Sequence, residues 1–261
     1  MLRTLLLAAA LLWGQAVHAG RSCDAQHPPQ AATVERGLRL AAQTLAALQA
    51  SGADVVVLAR AGQDLSRYGL RYSHLGLAYR ESDGQGWRVL HKLNQCGTRE
   101  AGIHRQGLGQ FFLDDLWRFE AAWVVPSPDV QARLLALLRD PARATRLHHR
   151  PYSMVSYAWG DQYQQSNQWA IETLAAAMEP GTIASRKQAQ AWLQFKGYQP
   201  TVLKLGPLTR LGGRMTSANI AFDDHPNAKR FADQIETVTV DSVFAWMPRA
   251  GLGGAPVILQ P

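Results

Sequence analysis

Two short apolar runs, Tyr72 to Tyr79 and Trp87 to Leu93, flank the turn-forming stretch Ser82-Asp83-Gly84-Gln85-Gly86. No other feature of the chain constrains its fold as much. Runs of this length around a glycine-containing turn predict an antiparallel hairpin. With the turn centred near Asp83-Gly84, residue i pairs with residue 167 − i, which sets His91 across from Gly76. His74, two residues from Gly76, then shares a sheet face with His91. A slip of one residue would set Asn94 beside His74 instead. Either neighbour could hold the His74 imidazole in one tautomer, the relation between a base and its orienter. The plainer alternative, a half-buried histidine bonded to a backbone carbonyl, stays open.

Around this hairpin the chain reads as helix, small antiparallel sheet, helices and a β-rich tail, an α+β domain. Val34, Leu38, Ala41, Leu45 and Leu48 recur at helical spacing between Ala31 and Ala50, and Gly52 follows as a stop. Ala53 to Ala59 is an apolar, valine-rich strand, and Phe119 to Val125 another. Ser127-Pro128 opens a helix that turns Val130, Leu134, Leu137 and Leu138 inward. Asn167 to Met178 and Arg186 to Lys196 read as further helices, the second capped by Ser185 and ended by Gly197. The last sixty or so residues read as irregular strands, including Gln234 to Val240, with turns at Gly212-Gly213 and at Asp223-Asp224-His225-Pro226.

Residues 1–19 carry Arg3, a short apolar core from Leu5 to Trp13 and the small-x-small site Val17-His18-Ala19. They predict a cleaved export signal, a mature chain from Gly20 and a periplasmic or secreted location. The formal charge of +7 falls to +6 without Arg3. The remaining basic residues are scattered, which argues against nucleic acid as a partner. A mild attraction to anionic envelope polymers or a peripheral membrane contact fits the charge. In an oxidising compartment the two cysteines, Cys23 and Cys96, favour a disulfide, with a reactive Cys96 thiol as the rival. There is no C-x-x-C, no H-E-x-x-H and no glycine-rich phosphate loop, so neither a metal nor a nucleotide cofactor is expected.

Asp54 to Arg60 followed by Ser73-His74-Leu75-Gly76-Leu77 resembles the strand, loop and S-H-[VL]-G-[IL] core of NlpC-type papain-like hydrolases. Tyr163-Gln164-Gln165-Ser166-Asn167-Gln168-Trp169 resembles the nucleophile-helix start of the circularly permuted branch, with Ser166 at the cysteine position. The resemblance implies a permuted papain-like core over residues 53 to 178 and an extension over residues 179 to 261. It also implies a hydrolase or acyltransferase acting on amide or ester bonds of peptide, cell-wall or lipid-linked substrates. In that scheme His74 takes a proton from Ser166, His91 or Asn94 orients His74, and Tyr163 helps to hold the oxyanion. Serine in place of cysteine keeps two alternatives open: Ser166 as a helix cap, and the whole chain as a catalytically inactive binding or scaffold protein of the cell envelope. The whole chain also resembles a bacterial envelope family catalogued as domain of unknown function 2145.

Overall fold

The computed structural model describes residues 30–82, 86–114 and 116–260. Residues 1–19 (expected to be an export signal), Cys23 and the centre of the hairpin turn lie outside the described residues, and the expected Cys23–Cys96 pairing lies there with Cys23.

Helix α1 (Ala31–Ala50) ends at Gly52, whose φ of 68° is the left-handed stop the sequence called for. The meander follows: β1 (Val55–Ala61), β2 (His74–Arg80), β3 (Trp87–Asn94) and β4 (Ala101–Gly107). Then come α2 (Leu108–Leu113), β5 (Arg118–Val124), α3 (Pro128–Leu138), α4 (Pro141–Thr145), α5 (Ser166–Met178) and α6 (Arg186–Phe195). The remainder holds β6 (Thr201–Lys204), α7 (Pro207–Thr216), α8 (Asn227–Phe231), β7 (Gln234–Thr237), α9 (Val240–Arg249) and β8 (Val257–Leu259). Six strands form one antiparallel sheet in the order β4-β3-β2-β1-β5-β8, and β6 pairs with β7 in a separate ribbon.

Strand alternation splits the core in two. Val56, Leu58, Ala78, Val89 and Trp123 face α1 and α2. Val57, Leu75, Leu77, Leu90 and Val124 face α3, α5 and α9. Helix α5 is buried on every side except its last residue, Met178, as expected of a helix packed in the middle of a core. Its alanines let the sheet and α6 approach closely.

Three expectations need correction. The segment after residue 200 is not mainly strand: α7, α8 and α9 occupy much of it. Gly212-Gly213 lies inside α7, not in a turn. The bulky residues of Val240–Arg249 read locally as strand, but Thr239 caps the Ser242 amide and starts a helix whose Val243, Phe244, Trp246 and Met247 enter the core. In α1 the buried face is rotated from the expected one: Leu38 is 47% exposed, while Gly37 and Leu40 pack inward.

Two buried polar networks tie the layers together. Glu120 on β5 accepts two bonds from Arg71 (2.7 and 2.6 Å), one from the Tyr72 hydroxyl and one from Gln260. Burial pushes this carboxyl up, but those donors and the Arg71 charge outweigh it and hold it at about 2. Behind α5, Glu172 accepts from Gln164 (2.6 Å), Arg186 (2.8 and 3.1 Å) and Gln190 (2.8 Å). Lys92 on β3 reaches the same network through Gln164 Oε1 (2.9 Å) and the His149 carbonyl (2.5 Å).

Candidate functional site

The observed β2–β3 register pairs Leu77 with Leu90 and Ala78 with Val89. This is the 167 − i alignment, not the slipped one. His74 and His91 therefore meet on one face, with His74 Nε2 2.8 Å from His91 Nδ1. Gly76 makes the meeting feasible. A Cβ there would sit 2.3 Å from Val89 Cγ1, 3.2 Å from Phe111 Cε2 and 3.5 Å from His91 Cβ. The fourth position of S-H-L-G is thus a packing requirement. Gly76→Ala is expected to cost about 1–3 kcal/mol through overpacking, read as a lower urea midpoint.

Beyond the pair, His91 Nε2 lies 2.9 Å from Gln106 Oε1 on β4. A carboxamide oxygen only accepts, so His91 Nε2 carries the proton. His91 Nδ1 is then the acceptor for His74 Nε2–H. The lone pair of His74 is left on Nδ1, at the partly exposed end of β2. Among the described residues no protein group hydrogen-bonds that atom.

Arg60, buried on β1, is directly across from His74 in the ladder, and its charge acts on both rings. It bonds the Phe111 carbonyl and the Asp114 carboxylate, and its guanidinium sits 4.6 Å from the Phe111 ring centre. Burial, the Arg60 charge and His91 together hold the His74 imidazole well below its ordinary value. Burial and Arg60 bring His91 down to about 3 despite the Gln106 bond. Both rings are neutral at physiological pH.

The start of α5 enters where β3 diverges from β2. Asn167 Oδ1 accepts from Leu75 N (2.8 Å) and Nδ2 reaches Ser73 O (3.4 Å), the two backbone groups a neighbouring strand would otherwise bond. The cap of α5 is Gln165, which accepts from Asn167 N, and not Ser166. Ser166 is 5% exposed and lies beside the hydroxyl of buried Tyr152. The expected Ser166–His74 hydrogen bond is not made. The reason lies in strand alternation: His74 turns toward α2, while the body of α5 covers the opposite face against Leu75 and Leu77.

The other candidates lie elsewhere. Asn94 donates to the Thr98 and Glu100 carbonyls and closes the β3–β4 turn. The Tyr163 hydroxyl meets Asp223 at 3.2 Å. His225 Nε2 meets the Val155 carbonyl at 2.8 Å, and no group of three metal-binding side chains converges among the described residues. The sequence reading missed Arg60, Gln106 and Asn167. A lone arginine ending the run Val55-Val56-Val57-Leu58-Ala59 was the available signal for the first.

Fold and site define an α+β protein that presents a tautomer-fixed histidine pair beside a strand bearing a buried arginine, at the point where two sheet strands part. The chain belongs to the DUF2145 family, described as uncharacterized proteins conserved in bacteria, whose profile matches residues 47–247. No curated protein and no solved structure matches the chain.

Proposed function

We propose that this chain is a catalytically silent binding protein of the bacterial cell envelope, built on a permuted papain-like core. Its His74 Nδ1 accepts a hydrogen bond from a peptide, cell-wall or lipid-linked ligand. The observation that carries this reading is Arg60 across the ladder from His74. A general base must become an imidazolium as it takes the serine proton. Here that cation would form in a partly buried site near a guanidinium, and among the described residues no carboxylate is bonded to His74. The tuning is opposite to that of a base poised near neutral pH. A neutral imidazole remains a hydrogen-bond acceptor. The burial of Ser166 in the first turn of α5, without a bond to His74, agrees with a structural role for that hydroxyl.

The hydrolase or acyltransferase reading is favoured by one observation, the orientation of His74 by His91 and Gln106. Labelling with a fluorophosphonate probe and peptide mapping separates the two. The expected result is no label on Ser166, and hydrolysis of a simple aryl ester that is unchanged by Ser166→Ala or His74→Ala. Label on Ser166 that vanishes in His74→Ala would overturn the binding reading.

A further inference from the structure

Helix α7 has no buried residue. Leu208, Leu211 and Met215, spaced three and four apart, are 83%, 55% and 78% exposed. The inner side of the helix is identified by its contacts. Arg210 reaches the Leu205 carbonyl and Asp233 (2.7 Å), and a Cβ on Gly213 would lie 3.5 Å from Ile220. At 100° per residue the apolar stripe points away from these contacts. Phe231, two residues before Asp233, adds a 72% exposed ring beside the helix.

Within the segment that carries this stripe the charged residues have one sign, although Asp233 pairs with Arg210 on its inner side. No aspartate or glutamate occurs between Thr201 and Phe222. Lys204 and Arg214 are exposed and have no ion-pair partner among the described residues. Three convex apolar side chains supply far less than the ~1,000 Å² a stable protein contact needs. They do suit shallow insertion into a lipid interface, where apolar burial and attraction to anionic headgroups add. No described helix is long and apolar enough to cross a membrane.

We propose that α7 docks the protein peripherally on an anionic lipid surface, burying Leu208, Leu211 and Met215 among the acyl chains while Lys204 and Arg214 meet the headgroups. This inference does not depend on the reading of His74.

The test is co-sedimentation of the purified protein with vesicles of mixed phosphatidylglycerol and phosphatidylcholine, and with phosphatidylcholine alone. Binding is expected only to the anionic vesicles and is expected to weaken with added salt. Leu208→Asp with Met215→Asp is expected to lower the partition coefficient at least about tenfold. Lys204→Glu with Arg214→Glu is also expected to lower it about tenfold. All four side chains are exposed, so folding is not at issue, and every variant keeps the same N-terminal segment. Equal uptake by neutral vesicles, or equal binding by all variants, overturns the proposal. A wild-type dimer in light scattering that the Leu208→Asp, Met215→Asp variant dissociates would instead assign the stripe to a second copy of the chain.

Discussion

Glu172→Ala is expected to lower the unfolding free energy by about 3–5 kcal/mol, the cost of leaving a buried cation without its partner. Glu172 has a fully buried side chain and Arg186 is 10% exposed. The alanine would strand Arg186 Nε and the amides of Gln164 and Gln190 where water has little access. These donors come from the loop before α5 and from α6, so the loss would loosen both from α5. Glu172→Gln keeps the shape and one acceptor oxygen and should recover part of the loss. Urea denaturation of the three proteins measures it. A change below about 1 kcal/mol would mean that water reaches the network freely.

The second large effect belongs to Lys92, on the same network. Burial, reinforced by Arg186 and opposed by Glu172, brings its ammonium down from 10.5 to about 6. Its two acceptors, the His149 carbonyl and Gln164 Oε1, match the two N–H groups of a neutral amine. The network then holds one cation, Arg186, and one anion, Glu172. Between about 6 and 10.5 the unfolded chain binds a proton that the folded chain does not. Stability must therefore rise with pH across this window, and the penalty is complete below about 6. Lys92→Met removes the titration. Its stability should be flat over the window and exceed wild type at the acid end by on the order of a few kcal/mol. Denaturation at both ends of the window, wild type against variant, gives the sign. A flat wild-type curve would show Lys92 charged in the folded protein.

What the sequence reveals of this fold follows physical periodicity. The hairpin register was readable because two apolar runs and one turn leave a single alignment that pairs the histidines, and α3, α5 and α6 announce themselves by spacing and flanking punctuation. Strand β4 was missed because Ala101–Gly107 lies at the sheet edge, half-exposed and polar, with little alternation to detect. That omission hid Gln106, and with it the proton assignment along the histidine pair. Helix α7 was missed because two glycines interrupt it and its apolar stripe faces out. The site itself was only half legible. Motif spacing brings His74 and His91 together, but the strand alternation that turns His74 toward α2 and away from the body of α5 leaves no motif in the sequence.

The sheet is also completed late. The strands from β1 to β4 meet their neighbours in order along the chain, whereas β5 must return to the far side of β1, and β8, the last described strand, pairs with β5 through Ala121, Ala122 and Trp123. Until β8 arrives, those residues display a row of unanswered amides and carbonyls beside apolar side chains. Such a border can adopt a strand from any passing chain. A three-residue strand contributes little to the core, and Val257 and Ile258 remain about half exposed. Its value is protective: once paired, it closes an adhesive margin that would otherwise invite aggregation.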